Sequence, residues 1–181
     1  MSAMKIVEGV EWAAHACAVL AGLAPGASLN AAALADFHEL PSPYMAKHLQ
    51  ALVRAGVLAA SRGGRGGYKL ARPAREISLW DIQAAIEGSE PSFRCQDIRR
   101  RGPCAGYTSA TVPCDVACAF LQAEGFYRTH LSGITIADIA RQVGAKLGPA
   151  GRNRFGDWAR ERGAAPAEPA RSAEGSTSGR H

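Results

Sequence analysis

Two short apolar runs flank a glycine-rich segment that carries two arginines, and this arrangement limits the possible folds more than any other part of the chain. Residues 57–61 (VLAAS) and 68–71 (YKLA) are strand-like, and residues 62–67 between them read RGGRGG. Two short strands joined through glycines predict a β-hairpin. Its connection is longer than a tight turn and carries Arg62 and Arg65, so we expect it to protrude. The segment lacks the Gly-Lys-Ser/Thr ending of a phosphate-binding P-loop and lies between strands rather than before a helix.

Three predicted helices precede this hairpin. Residues 5–23 and 30–40 have apolar side chains at helical spacing, and a third helix is predicted over residues 42–55. Ser42 is the expected N-cap of the third helix, with Pro43 at its first helical position. The order of three helices followed by a hairpin is that of a winged helix-turn-helix. In such a fold the third helix fits the major groove, and an arginine-bearing wing reaches phosphates or a narrow minor groove.

Three more helices are predicted after the hairpin, over residues 78–87, 115–132 and 135–143. The expected fold is therefore mainly α with a small β-hairpin wing. The last part of the chain is rich in Gly, Pro, Ser and Ala and holds few large apolar residues, so residues 145–181 are predicted to be a disordered tail. Phe155 and Trp158 are the tail residues expected to dock locally.

The charge of the chain is unevenly distributed. The net charge is +5, but residues 40–75 contain seven Lys and Arg residues and no Asp or Glu. Such a block attracts a polyanion and binds it in a salt-dependent way. The alternative is a basic face that contacts only solvent.

Four cysteines lie close together after the fourth predicted helix. Cys95, Cys104, Cys114 and Cys118 have the spacing C-x8-C-x9-C-x3-C, in a segment rich in Arg, Gly and Pro. This spacing differs from the paired knuckles of a zinc ribbon and from ferredoxin-type runs. It predicts a metal or redox site of unspecified type, and the alternative is a reduced loop without a ligand.

The first predicted helix carries a second group of candidate ligands. Glu11 and His15 are four residues apart, so they lie on one helix face and could share a metal ion or form a surface ion pair. Cys17, on the apolar face of the same helix, is predicted to be a small core residue.

The hairpin, the third helix and the last short helix together carry a recognisable signature. The chain resembles the winged-helix repressors typified by the iron–sulfur cluster regulator IscR, the nitric-oxide sensor NsrR and the redox sensor RsrR. The resemblance covers residues 4–144. The matching residues are Ser42-Pro43-Tyr44-Met45, Gly56-Val57-Leu58, Ser61-Arg62-Gly63, Gly66-Gly67-Tyr68, Asp81-Ile82 and Thr135-Ile136-Ala137-Asp138-Ile139.

The resemblance implies an iron–sulfur cluster and a way to bind it. The distances from Tyr68 to Cys95 and from Cys114 to Thr135 are similar to those of the family, although the gaps between the cysteines are longer here. Members of the redox-sensor branch hold a 2Fe-2S cluster by two cysteines of one subunit and a Glu and a His of the partner's first helix. The implied ligands are drawn from Cys95, Cys104, Cys114, Cys118, Glu11 and His15. A 2Fe-2S cluster is preferred and a 4Fe-4S cluster is the other possibility.

The same resemblance implies a division of the chain. Residues 4–88 form the winged helix-turn-helix domain, and residues 89–118 form the cysteine-rich cluster-binding loop. Residues 115–144 contain a long dimerisation helix and a short C-terminal helix, and residues 145–181 form the tail. Two recognition helices of a homodimer then face the half-sites of a palindromic operator, about one turn of duplex apart.

Seven residues of the predicted reading helix and wing are expected to contact DNA. Contacts to DNA phosphates are expected from Lys47, Arg54, Arg62 and Arg65. Arg65, at the wing tip, is also expected to reach the minor groove. Contacts to the backbone or to base edges near the helix start are expected from Ser42, Tyr44 and His48.

The function predicted from the sequence is a DNA-binding transcriptional regulator, not an enzyme. Its operator affinity is expected to follow the state of the cluster, in response to redox change, nitric oxide or oxidative stress. The alternative is a cluster-free winged-helix repressor that responds to a small molecule, thiol oxidation or a partner protein. A thiol oxidoreductase is disfavoured because the sequence has no CxxC motif. No signal peptide and no membrane-length apolar run is present, so the expected location is the cytoplasm.

Overall fold

Helices dominate the structure, a computed structural model that describes residues 7–61, 66–103, 105–107 and 111–164. The described helices and strands are α1 Glu8–Ala21, α2 Ala31–Asp36, α3 Ser42–Arg54, β1 Leu58–Ala60, β2 Tyr68–Leu70, α4 Leu79–Glu87, α5 Asp115–Ser132 and α6 Ile136–Glu161. Strands β1 and β2 pair antiparallel, with Leu58 opposite Leu70. The expected mainly α fold with a small β-hairpin is confirmed. None of the helices in these ranges is long and apolar enough to span a bilayer.

The core lies where α1, α2, α3 and α4 meet. Its largest fully buried side chains include Leu34, Met45, Leu49, Leu52, Ile77, Ile82 and Ile136. Cys17 is completely buried among them, and burial raises the pKa of its thiol to about 12. This thiol therefore stays protonated and packs as a small apolar group, as the sequence predicts.

The start of α3 differs from the prediction. Pro41 is the N-cap residue and Ser42 is already helical, because the backbone N–H of Met45 donates to the carbonyl of Pro41 at 3.2 Å. The side chain of Ser42 makes no capping hydrogen bond and is exposed. A prolyl carbonyl in extended conformation accepts the first helical hydrogen bond, so Ser42 is free to face outward.

The C-terminal region also differs from the prediction. Helix α6 does not end near residue 143 but continues to Glu161, with a kink at Gly148, whose φ is 62°. Residues 149–161 are therefore helical, and the expected disorder from residue 145 is wrong for this part. The helix is held by aromatic packing, since the ring centroid of Trp158 lies 4.5 Å from that of Phe37. The expected local docking of Phe155 and Trp158 is confirmed. Residues 165–181 lie outside the described residues.

Helix α5 packs on α4 through one side only. The hydroxyl of Tyr127 donates to Gln83 at 2.7 Å, and the guanidinium of Arg128 lies over the ring of Trp80 at 4.6 Å. The same helix exposes four large apolar residues, namely Val116, Phe120, Leu121 and Phe126. Of these, Phe120 stacks on Phe93.

A capping box at the start of α6 gives a pH-dependent contribution to stability. The Asp138 carboxylate accepts hydrogen bonds from the hydroxyl and the backbone N–H of Thr135, at 2.7 and 3.0 Å. These bonds, together with Arg141, lower the pKa of Asp138 from 3.8 to about 2. A lowered pKa means that the ionised carboxylate stabilises the fold above its ordinary pKa, and that this stabilisation is lost as the pH falls towards 2.

Asp138→Asn is therefore expected to lower the thermal unfolding midpoint by about 2–4 °C at pH 7. The difference from the unmodified protein should shrink as the pH falls from about 4 to about 2, because the native carboxyl is then protonated as well. Calorimetric scans of both proteins at several pH values measure it. A gap that stays constant down to pH 2 would show that the box stabilises α6 without the carboxylate charge.

Candidate nucleic-acid interface and cysteine segment

Helix α3 has a polar, cationic face opposite its buried face. The buried side chains are Met45, Leu49 and Leu52, and the exposed stripe on the other side consists of Pro43, Lys47, Gln50 and Arg54. Within the part of the chain that the structure describes, neither Lys47 nor Arg54 pairs with a carboxylate. Such cations suit DNA phosphates, and Gln50 between them has the amide that pairs with an adenine edge in the major groove. Gln50 is not among the DNA contacts predicted from the sequence, although its position three residues after Lys47 places it on the same helix face.

Two of the predicted DNA contacts belong to an aromatic cluster between α1 and α3. The ring of Trp12 meets those of Tyr44 and His48 edge-on, with centroids 6.4 and 6.0 Å away. Tyr44 remains 60% exposed, so its hydroxyl is accessible at the start of α3. His48 is half-buried, and burial, followed by the charge of Lys47, lowers its pKa. A neutral His48 turned towards α1 is therefore placed to orient the helix.

Gly9 allows this close approach of α1 to α3. A Cβ atom at Gly9 would lie 2.3 Å from Cε1 of His48. Gly9→Ala is therefore expected to destabilise the protein by about 1–3 kcal/mol, because the ring and α3 must shift to make room. Urea unfolding measures the loss, and DNA affinity should fall with it.

The matched control for this substitution is Gly125→Ala in the middle of α5. A Cβ there meets no atom within 4 Å, so alanine should leave the midpoint unchanged or raise it. Equal stability of the two variants would contradict a tight contact between Gly9 and His48.

The hairpin is held against the helices at its base. The backbone N–H of Tyr68 donates to the carbonyl of Leu29 at 2.7 Å, and the N–H of Leu29 donates back to Tyr68 at 3.1 Å. Lys69 is exposed on β2, whereas Arg72 just beyond it pairs with Asp81 at 3.0 Å. The predicted wing contacts Arg62 and Arg65 lie outside the described residues. Strand β1 follows α3 directly, and β2 pairs with it.

Cys114 is the N-cap residue of α5. The backbone N–H of Ala117 is the main cause that lowers the pKa of Cys114, helped by the N–H of Val116, the Cys95 side chain and the charge of Arg99. Cys95 is exposed, and its sulfur accepts a hydrogen bond from the Asp97 N–H at 3.4 Å. The structure thus brings together the thiols of Cys95 and Cys114, which are 19 positions apart in the sequence.

The other predicted ligands do not join this pair. Cys118 is exposed one turn further along α5, and Cys104 lies outside the described residues. On α1, Glu11 is exposed and the ring of His15 lies 4.9 Å from that of His38. Across the described ranges, no three His, Cys, Asp or Glu side chains are arranged to hold a metal ion.

The described residues nevertheless include the types of donor that an iron–sulfur cluster takes. One chain offers two adjacent thiols at one place and a carboxylate with an imidazole at another, all of them chemically suited to iron. Thiolate ligation is favoured at Cys114, because the α5 N-terminus stabilises negative charge on its sulfur.

Comparison with known proteins identifies a family and several relatives that this chain resembles. The model of a family described as "Rrf2: Iron-dependent Transcriptional regulator" matches residues 6–142. A protein of Mycobacterium tuberculosis named as an HTH-type transcriptional regulator is 32% identical over 140 residues, which cover 76% of this chain and 81% of that protein. A protein of Lactococcus lactis with the same type of name is 27% identical over 142 residues, covering 77% and 89%.

Solved structures show the same fold. T. potens IscR matches with a TM-score of 0.60 and 22% identity, covering 79% of this chain and 90% of that one. CymR, named the global cysteine regulator of B. subtilis, matches with a TM-score of 0.61 and 18% identity, covering 77% and 98%. The winged-helix interpretation of the hairpin and its three preceding helices is therefore confirmed.

Proposed function

Because the chain belongs to the Rrf2 family of transcriptional regulators, we propose that it is a homodimeric cytoplasmic repressor whose DNA affinity follows a bound iron–sulfur cluster. The relatives are described as transcriptional regulators, and the winged-helix fold is a DNA-binding one. The finer parts of this proposal are the cluster, the dimer and the operator contacts. Each depends on the residues described above.

The proposed DNA contact is the exposed stripe of α3 together with the wing. Lys47 and Arg54 bind phosphates on either side of Gln50, which lies against base edges in the major groove. Ser42 and Tyr44 are exposed at the first turn of α3, and they contact the DNA backbone where this helix enters the major groove. Arg62 and Arg65 extend the contact from the wing, and Arg65 reaches the minor groove. His48 holds α3 against α1 and contacts DNA only at its outer edge.

The proposed dimer uses the exposed apolar residues of α5. Val116, Phe120 and Phe126 are 60%, 54% and 69% exposed on this helix. A second chain packed along α5 would cover these side chains, and burial of exposed apolar area favours association. A two-fold dimer presents two α3 helices to a palindromic operator.

The proposed cluster site joins the two subunits. Cys95 and Cys114 hold the group from one chain, and Glu11 and His15 hold it from the partner, with Cys104 and Cys118 as the remaining candidates. When bound, a 2Fe-2S cluster supplies one-electron chemistry and sensitivity to oxidants or nitric oxide; a 4Fe-4S cluster is the other possibility. The backbone N–H groups at the start of α5 lower the pKa of Cys114, and the charge of Arg99 lowers it further, so both favour the thiolate form. Mixed nitrogen, oxygen and sulfur ligation raises the potential above that of an all-thiolate site.

The observation that carries the regulatory part of this proposal is the position of Trp12. It lies between the candidate ligands Glu11 and His15 on α1, and its ring contacts Tyr44 and His48 of α3. A change in the orientation of α1 at these ligands would therefore shift α3, the proposed DNA-reading helix, through the ring contacts of Trp12. Two states of the dimer with different α1 positions would have different operator affinities.

Anaerobic purification with an absorption spectrum and an iron and sulfide assay tests the proposal. A coloured dimer with about two iron and two sulfide per chain is expected, and its affinity for an operator selected from genomic DNA should change with redox state. Four of each per chain would favour a 4Fe-4S sensor and argue against Glu11 and His15 as ligands. A colourless protein that binds DNA equally well in all redox states would overturn the cluster.

A cluster-free regulator remains the second candidate because of the contact between Cys95 and Cys114. Adjacent thiols, one of them with a lowered pKa, are suited to reversible disulfide formation with an oxidant such as hydrogen peroxide. Protein without iron whose DNA binding responds to peroxide and is restored by dithiothreitol would favour this candidate.

A further inference from the structure

A cavity lies between α1, α2 and the two halves of α6. Its volume is about 440 Å³, which is within the range of roughly 300–1,000 Å³ typical of small-molecule sites. The walls are mainly apolar, formed by side chains such as Val19, Phe37, Val143, Leu147 and Phe155. This cavity is separate from the exposed stripe of α3 and from the Cys95–Cys114 pair.

The kink of α6 creates this space. At Gly148 the chain turns with φ 62° and Pro149 begins the second half, which packs back over α1 and α2. Phe155 lies against Gly22 of α1, where a Cβ would come within 3.1 Å of its ring. Residues of both halves of α6 line the cavity, so a bound molecule can contact both.

The polar groups of the cavity are cationic or neutral. His15, His38, Arg152 and Arg160 line it, and no Asp or Glu is found among its described lining residues. Arg160 is paired with Asp157 at 2.5 Å, whereas Arg152 donates one hydrogen bond to the carbonyl of Gly144 at 2.9 Å. A guanidinium has five N–H donors in a planar fork, so Arg152 keeps the capacity to bind a carboxylate.

His38 adds an unsatisfied polar atom to the same wall. Its Nε2 is buried and has no hydrogen-bond partner within the ranges that the structure describes. A neutral imidazole nitrogen can donate or accept one hydrogen bond. A polar ligand atom would satisfy a group that the protein leaves unpaired.

We propose that this cavity binds a small amphipathic carboxylate, with its carboxylate at Arg152 and its apolar body between Val19, Phe37 and Phe155. The cavity also adjoins the turn into the reading helix. Phe37 and His38 are followed by Glu39, a non-glycine residue with φ 55°, and α3 begins at Ser42. A ligand that fixes Phe37 and His38 would fix this strained turn, and the position of α3 with it.

Isothermal titration of the full-length protein with octanoate and with phenylacetate tests the proposal. The uncharged controls are 1-octanol and phenylacetamide, which have the same apolar bodies. We expect at least one carboxylate to bind and to raise the thermal midpoint, with its uncharged counterpart at least about tenfold weaker. Arg152→Glu should abolish this difference, and the matched control Arg154→Glu, which is exposed outside the cavity, should not.

A second variant separates cavity filling from loss of charge. Leu147 lines the cavity and is 48% exposed, so Leu147→Trp can occupy the space without disturbing the core. It should block both carboxylates although Arg152 is intact. The proposal would be overturned if neither carboxylate binds, or if the uncharged controls bind as tightly as the carboxylates. It would also be overturned if the Arg152→Glu and Leu147→Trp variants both bind the carboxylates as the unmodified protein does. His15 lines the cavity and is also a proposed cluster ligand, so binding is measured both with and without iron. Binding to the iron-free protein tests the cavity separately from the cluster.

Discussion

Replacing Lys47 and Arg54 together by alanine is expected to weaken DNA binding about 10–100-fold at physiological salt. Both cations project from the exposed side of α3, opposite Met45 and Leu52, and neither pairs with a carboxylate in the described part of the chain. Each contact with a phosphate releases counterions, so loss of two contacts should also reduce the slope of log affinity against log salt by about 1.8. Fluorescence anisotropy with a labelled operator fragment at several salt concentrations measures both quantities.

The matched control removes the same charge from another surface. Lys146 and Arg154 are exposed on α6. Their double alanine variant has the same net charge as the Lys47/Arg54 variant, but its α3 is intact. It should bind with nearly the original affinity and slope. Gln50→Ala gives a further contrast, because it should alter sequence preference while leaving the salt slope unchanged. If both double variants lose affinity equally, net charge rather than the α3 stripe determines binding.

The DNA-binding half of the fold could be predicted because local signals there agree with one another. Helical spacing of apolar residues, breaks at prolines and a glycine-rich hairpin all indicate the same order of elements, and that order is confirmed. The predicted N-cap of α3 is wrong by one residue. The sequence favours Ser42 for this role, whereas the carbonyl of Pro41 accepts the first hydrogen bond of the helix. Such a shift leaves the faces of α3 unchanged, because Leu49 and Leu52 still determine which side is buried.

The C-terminal half was predicted less well, for a physical reason. The composition after residue 144 favours disorder, but a few aromatic contacts over a long sequence separation hold residues 149–161 as a helix. Phe37 supplies the surface for Phe155 and Trp158, and it lies more than 100 residues earlier in the chain. Local composition contains no information on such a contact. The cavity between α1 and α6 was therefore outside the reach of the sequence analysis.

The candidate ligands show the same limit. Spacing alone placed four cysteines in one segment, and the structure brings two of them, Cys95 and Cys114, together through the start of α5. Glu11 and His15 were linked to the cysteines only through the resemblance, and one chain does not bring them to the thiol pair. Whether the partner chain does so stays a prediction, and it can be tested by combining two defective chains.

Each of two variants is expected to lose the cluster when it forms a homodimer. Cys114→Ser removes a proposed thiolate, and the double variant Glu11→Ala/His15→Ala removes the two proposed donors of α1. Both homodimers should be colourless and contain little iron, because each site then lacks part of its ligand set. Absorption spectra and iron assays of the anaerobically reconstituted proteins measure the loss. Cys17→Ala serves as the control, since this thiol is buried in the core and should not affect iron content.

A heterodimer of the two defective chains should contain half of the iron of the unmodified dimer. In a heterodimer, one site combines the intact thiols of the Glu11→Ala/His15→Ala chain with the intact α1 of the Cys114→Ser chain. The other site has neither a complete thiol pair nor an intact α1. Differently tagged chains, co-expressed and purified by both tags, should therefore contain about half the iron and visible absorption of the unmodified dimer. If all ligands came from one chain, both sites would be defective and the heterodimer would be as colourless as its parents, so recovery of iron distinguishes a shared site from a site within each chain.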